Sequence, residues 1–113
     1  MRIFVILMIL SLLFCDEKSE LKNVKVLPFK TKADIMKYMK LSVAGELGVK
    51  CTFCHNMNDY SSDENEHKLV ARKMMQMVVN INENTMKPLK KHEISCWTCH
   101  REQKQPEHKK NEN

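Results

Sequence analysis

The sequence predicts an all-α protein of short helices arranged as two similar units, each an amphipathic helix, a turn and a Cys-x-x-Cys-His segment. Three observations carry that expectation. Apolar residues recur at helical spacing in two separate stretches, Ile35 to Leu47 and Val70 to Ile81. Two Gly and three Pro in 113 residues leave little material for the many tight turns of an all-β fold. Four Phe, two Tyr and one Trp beside nine Met make a core short of large aromatic filler. That inventory suits a small helical chain whose interior is completed by a large apolar group. One domain is expected at this length, and a domain this small is marginal unless something adds to its core.

Arg2 opens the chain, and an apolar run of 12 residues from Ile3 to Phe14 follows. The run is shorter than the roughly 20 residues of a membrane span and matches the hydrophobic region of an export signal. It stops at Cys15, with Asp16-Glu17-Lys18 next. Leu12-Leu13-Phe14-Cys15 resembles a bacterial lipobox, with Phe14 where a small residue is usual. The expectation is a lipoprotein-type signal over residues 1–14 and a mature chain that is exported, periplasmic and held on a bacterial membrane through lipidated Cys15. An uncleaved anchor and simple cleavage nearby are the alternatives. Two or three acyl chains suffice for stable attachment.

Residues 15–30 read as a tether ending in a short extended segment, Asn23 to Pro28. Thr31-Lys32-Ala33-Asp34 then reads as a capping box that opens a helix. Ile35, Met39, Val43 and Leu47 share one face, with Met36 beside them, and Gly48 is the natural stop. Asn56 to Glu66 is polar and without period, hence a loop. A second helix begins between Asp63 and Glu66, with Val70, Met74, Met77, Val78 and Ile81 as its apolar stripe. Asn80, Asn82 and Asn84 suggest fraying by about residue 84, and residues 85–95 read as a basic loop containing Pro88. Residues 31–101 form the expected domain, and residues 102–113 a charged, disordered tail.

The formal charge of +5 invites an acidic partner. The charges read as interspersed, aromatics are sparse and no nucleic-acid motif is present, so nucleic acid is not expected as a partner.

Five cysteines divide by context. Cys15 ends the apolar run, and the other four form Cys51-Thr52-Phe53-Cys54-His55 and Cys96-Trp97-Thr98-Cys99-His100. Two thiols separated by two residues on a helical turn can add to the two neighbouring vinyl groups of a haem. The adjoining His then lies beneath the iron as a nitrogen ligand. Two such motifs predict two covalently bound haem c groups, with Cys51, Cys54, Cys96 and Cys99 as the attachment residues and His55 and His100 as iron ligands. A redox-active Cys-x-x-Cys belongs at the start of a helix after a strand, and no βαβ pattern is visible. A zinc site of four Cys expects some 15–20 residues between its halves, whereas 41 separate Cys54 from Cys96, and it leaves both His unused. Structural disulfides leave them unused as well.

An electron-transfer haem usually fills both axial positions, and Met opposite His raises its potential. Met39 lies 12 residues before Cys51, with Met36 one turn earlier. Met74 lies 22 residues before Cys96, with Met77 as the fallback. Met39 and Met74 are therefore the expected sixth ligands, against the bland reading that they are gap-filling core methionines. His67, His92 and His108 are weaker candidates, and His108 falls in the tail.

From Thr31 to Arg101 the chain resembles the cytochrome c subunit of the photosynthetic reaction centre and its shorter bacterial relatives. The matching pieces are Asn23-Val24-Lys25-Val26-Leu27, Leu47-Gly48-Val49-Lys50 before the first motif, Ala71-Arg72-Lys73-Met74, Ile81-Asn82, and Cys96 to Arg101. The resemblance implies a helix carrying the Met ligand, a turn and a helix carrying the attachment motif in each unit. It thereby supports Met39 and, in the Ala-Arg-x-Met setting, Met74. This chain departs in having two motifs where the full subunit has four, Glu102 where Gly is usual, and Trp97 for the usual Tyr.

The expected function is one-electron transfer in the periplasm or at a membrane surface, not enzymatic catalysis. The expected partners are redox proteins, including a reaction-centre-like or respiratory complex. A haem enzyme such as a peroxidase or small-molecule reductase would need an open sixth position and a distal acid or base, and nothing marks one. A haem-based sensor would need an attached signalling domain.

Overall fold

A computed structural model describes residues 21–109. The expected signal over residues 1–14, Cys15 with its lipobox, and residues 16–20 of the tether lie outside the described residues, as do residues 110–113 of the tail. Among the described residues there is no strand, only an isolated bridge between Asn56 and Asp59. No described helix is long and apolar enough to cross a membrane.

The chain enters as an extended segment over residues 21–30. Phe29 packs on Tyr38, with ring centroids 5.3 Å apart. Helix α1, Lys32–Tyr38, begins where expected: the Thr31 hydroxyl accepts from the Asp34 backbone N–H at 3.1 Å. It continues through a wider π-helical stretch, Met39–Ala44, into a last turn, α2, Gly45–Leu47. Gly48 ends it in the left-handed region at φ 65°. A Cβ there would stand 2.2 Å from the Glu102 carbonyl oxygen. Gly is thus required twice, by its own dihedral and by the backbone that crosses it.

The first motif follows as a 3-10 turn, Cys51–Phe53. A loop leads to α3, Glu66–Ile81, which Asn65 caps by accepting from the His67 N–H at 2.9 Å. The same side chain donates to the Phe53 carbonyl at 3.1 Å, so one residue both starts α3 and fixes it to the first motif.

Where fraying was expected, the structure differs. The helix runs on as a π-helical stretch, Asn82–Met86, and Asn82 is buried. Its amide donates to the Ile94 carbonyl at 2.9 Å and accepts from the Ile94 N–H at 2.8 Å. A polar residue near a helix end ordinarily signals unwinding; here its side chain replaces a strand partner for the segment entering the second motif. That motif is helix α4, Cys96–His100, opened by a reciprocal capping box between Ser95 and Thr98.

Each unit is therefore an α-helix, a π-helical widening, a connection and a Cys-x-x-Cys-His turn. Glu46 joins the units: its carboxylate accepts from the Trp97 N–H at 2.8 Å, and its carbonyl accepts from the Glu102 N–H at 2.9 Å. The tail expected to be disordered from residue 102 is engaged at its start. Glu102 reaches α2, Gln103 reaches His100, and the Lys104 ammonium lies 4.9 Å from the centre of the Phe53 ring.

The core is minimal. Among the described residues the buried apolar side chains are Val43 and Cys54, and no large side chain is fully buried.

Candidate functional site

The stripe of α1 faces a cavity of about 580 Å³, within the range of sites that enclose small molecules and cofactors. Ile35, Met36, Met39 and Val43 line it from the first helix, and Cys51, Cys54 and His55 from the motif. Val26 and Leu27 close it from the extended segment, and Ala71 and Met75 from α3. The structure thus brings Met39 and Met36 to the same cavity as both thiols and the histidine of the first motif.

His55 is oriented for coordination. Its Nδ1 lies 3.0 Å from the Tyr60 carbonyl oxygen. A carbonyl only accepts, so Nδ1 carries the proton and Nε2 keeps its lone pair for a metal. His100 repeats the device: its Nδ1 lies 2.8 Å from the Gln103 carbonyl. The sequence did not announce these carbonyls, because each depends on a loop turning back over its own motif.

Two of the four thiols are shifted away from the reactive thiolate. Burial pushes the Cys54 thiol up. Burial, and then the Glu46 carboxylate, push Cys96 up. A thioredoxin-type centre needs the opposite, a thiol lowered by positive surroundings. No disulfide joins the four described cysteines. Among the described residues no three His, Cys, Asp or Glu side chains converge as a metal-binding group.

The second motif is less enclosed. Cys99 and His100 line a cavity of about 620 Å³ with Thr98, Pro106 and His108. Met74 does not line it, and neither does Met77; both remain 45% exposed on α3. The structure therefore does not bring Met74 to His100 in one cavity, and it places His108 there instead. It does leave Val70, Met74 and Met77 as an exposed apolar stripe on α3. His67 lines neither cavity and stacks on Phe53, with centroids 4.1 Å apart. His92 is exposed and lines neither.

A network around Asp63 holds the entrance segment. Its carboxylate pairs with Arg72 and Lys68, both at 3.1 Å, and accepts from the Asn23 amide at 2.8 Å. These hydrogen bonds hold the Asp63 carboxyl well below the usual carboxylate range, Arg72 contributing most and Asn23 next. Arg72 also reaches the Asn23 carbonyl at 3.5 Å. The Ala71-Arg72-Lys73-Met74 stretch therefore places its arginine on the wall of the first cavity.

Set beside known proteins, residues 16–112 match the family described as photosynthetic reaction centre cytochrome C subunit. The chain belongs to that family. Its similarity to cytochrome c-554 of Chloroflexus aurantiacus is 40% identity over 81 residues, 69% of this chain and 20% of that protein. With the photosynthetic reaction center cytochrome c subunit of Roseobacter denitrificans it shares 38% over 73 residues, 59% of this chain and 19% of the other. With that of Rubrivivax gelatinosus it shares 32% over 90 residues, 62% and 25%. The chain spans a fifth to a quarter of the length of these relatives.

Membership in a cytochrome c family makes covalently bound haem c the cofactor. The residues present fit it at the first motif: two thiols, an oriented imidazole and two thioethers on an apolar cavity. At the second motif Cys99 and His100 line the cavity while Cys96 does not, and the cavity wall is more polar.

Proposed function

We propose that the protein is an exported dihaem cytochrome c that carries single electrons in the periplasm, anchored to a bacterial membrane by lipidated Cys15. Haem c supplies the one-electron couple, its iron alternating between ferric and ferrous states. Cys51 and Cys54 hold the first haem by thioether bonds, and Cys96 and Cys99 the second. His55 and His100 each give an Nε2 lone pair, with the ring fixed by a backbone carbonyl. Met39 would give a sulfur ligand at the first site and Met74 at the second. With a histidine and a methionine both bound, the iron would have no position left for a substrate, which supports a carrier over an enzyme. The partners are redox proteins, with a reaction-centre-like or respiratory complex as the wider setting.

The observation that carries the reading is the first cavity, which Met39, Met36, both thiols and the oriented His55 all line. Expression with a cytochrome c maturation system tests it by intact mass and the reduced absorption spectrum. Two haem increments, a sharp c-type band and little carbon monoxide binding are expected. One increment or none ends the dihaem reading, and strong carbon monoxide binding ends the carrier reading.

A further inference from the structure

We infer that Asn23 and Asp63 form a latch that holds residues 21–27 as a wall of the first cavity, and that this latch keeps water from the first haem and its potential high. The inference rests on the electron-carrier reading and deepens it by naming positioning residues for one of the two redox centres.

Every residue from Leu21 to Leu27 lines the cavity, and none of them belongs to a helix or a strand. A segment without a ladder of its own stays in place only through its contacts with the rest of the chain. Among the described residues, every hydrogen bond and ion pair from residues 21–30 to the body of the protein ends on Ser61, Asp63 or Arg72. The Asn23 amide donates to the Ser61 carbonyl at 2.6 Å and to the Asp63 carboxylate at 2.8 Å. The Arg72 guanidinium donates to the Asn23 carbonyl at 3.5 Å, and the Lys25 ammonium stands 3.6 Å from Asp63. The wall is thus fastened at one knot.

Asp63 is the hub of that knot. It pairs with Lys68 and Arg72 of α3, the helix that brings Ala71 and Met75 to the same cavity. One carboxylate therefore ties the extended segment to the opposite wall, through charge-assisted hydrogen bonds that are the stronger kind. Asp63 does not itself line the cavity, so it acts through what it holds. Asn23 is the matching part on the segment. Its φ of 64° lies in the left-handed region, which Asn tolerates better than most residues.

The wall matters because a ferric haem carries one more positive charge than a ferrous one. Water stabilises the more highly charged state, so admitting water lowers the potential, and the apolar shell around the iron sets how much water enters. Val26 and Leu27, partly buried, belong to that shell. The second cavity has no such wall: its lining comes from residues 98–109 alone, its own motif and the chain just after it. The latch therefore acts on one haem and leaves the other as an internal reference.

The test uses the haem-loaded protein with Asn23→Gly and with Asp63→Asn. Asn23→Gly removes the amide, leaves every charge in place and suits the backbone at φ 64°. In a spectroelectrochemical titration each variant should lower one of the two couples and leave the other, and the lowered couple should be the one that Met39→Ala also moves. The sign separates a latch from plain electrostatics: removing the Asp63 carboxylate while Lys68 and Arg72 remain would by charge alone raise the potential. Release of the segment is read separately by trypsin cleavage after Lys25. That cut should be about tenfold faster in both variants, the effect of losing one hydrogen bond to a charged group. The double variant should add little to either single one, because both break the same knot. Two reversible couples unmoved in Asn23→Gly, a rise in Asp63→Asn, a shift in the couple that Met39→Ala leaves alone, or unchanged cleavage overturns the latch and leaves the carrier reading standing. A protein with no reversible couple ends the carrier reading itself. If Asp63→Asn takes up no haem, Asn23→Gly decides alone.

Discussion

Asn82 shows how much a single side chain carries in a molecule with so small a core. It is buried, and its two amide atoms satisfy both backbone groups of Ile94. Asn82→Ala should leave a buried N–H and C=O without partners and cost about 2–3 kcal/mol, read as a lower denaturant midpoint of the haem-loaded protein. Asp63 offers a test by pH. Its carboxyl is lowered in the folded state by Arg72, Asn23 and Lys68. A lowered folded pKa adds stability above the unfolded value, near 3.9, and that stability is lost as pH falls below it. The melting temperature of the unmodified protein should therefore fall more steeply below pH 4 than that of Asp63→Asn, which should be flatter there. Glu102 and Arg101 both sit at positive φ, 63° and 49°. The glycine usual after His-Arg in the family is explained by that backbone, because a residue without Cβ adopts it freely.

At the scale of elements, both long helices widen into π-helical stretches before the chain turns toward an attachment motif. Such widenings often mark functional positions, and the first begins at Met39. Met39 faces the cavity that holds Cys51, Cys54 and His55. Met39→Ala should therefore abolish the sulfur-ligated low-spin signature at one haem and open a site for carbon monoxide. Met74→Ala should do the same at the second haem. The two assignments stand on different footing, since Met74 and His100 share no cavity here and His108 lies beside His100. Comparing Met74→Ala with His108→Ala in near-infrared spectra decides between sulfur and nitrogen at that iron: an unchanged spectrum in Met74→Ala and a changed one in His108→Ala would reassign the ligand.

For the whole molecule, the decisive feature is the scarcity of buried side chains. Val43 and Cys54 are the buried apolar residues among those described, while Val70, Met74, Met77 and Trp97 remain 45–52% exposed. Ordering the backbone costs free energy at every residue, and burial of apolar side chains is its main offset. Folding should depend on the covalent haems, as it depends on metal in small metal-bound domains. Circular dichroism of haem-free protein should show largely unfolded chain, with helicity recovered only after haem attachment. Native-like helicity without haem would show that the helices sustain themselves.

Local chemistry made much of this protein legible in its sequence. The helix start at Thr31, the stop at Gly48, the second helix from Glu66, and the attachment motifs are all short-range patterns, and short-range patterns survive being read one residue at a time. Tertiary structure decided the rest. The role of Asn82 depends on Ile94, 12 residues away; the union of the two units depends on Glu46 meeting Trp97, 51 residues away. A sequence records which groups are available and their local conformational preferences, whereas contacts between distant segments are chosen by burial and by polar groups that must find partners, and those exist only once the chain has closed on itself.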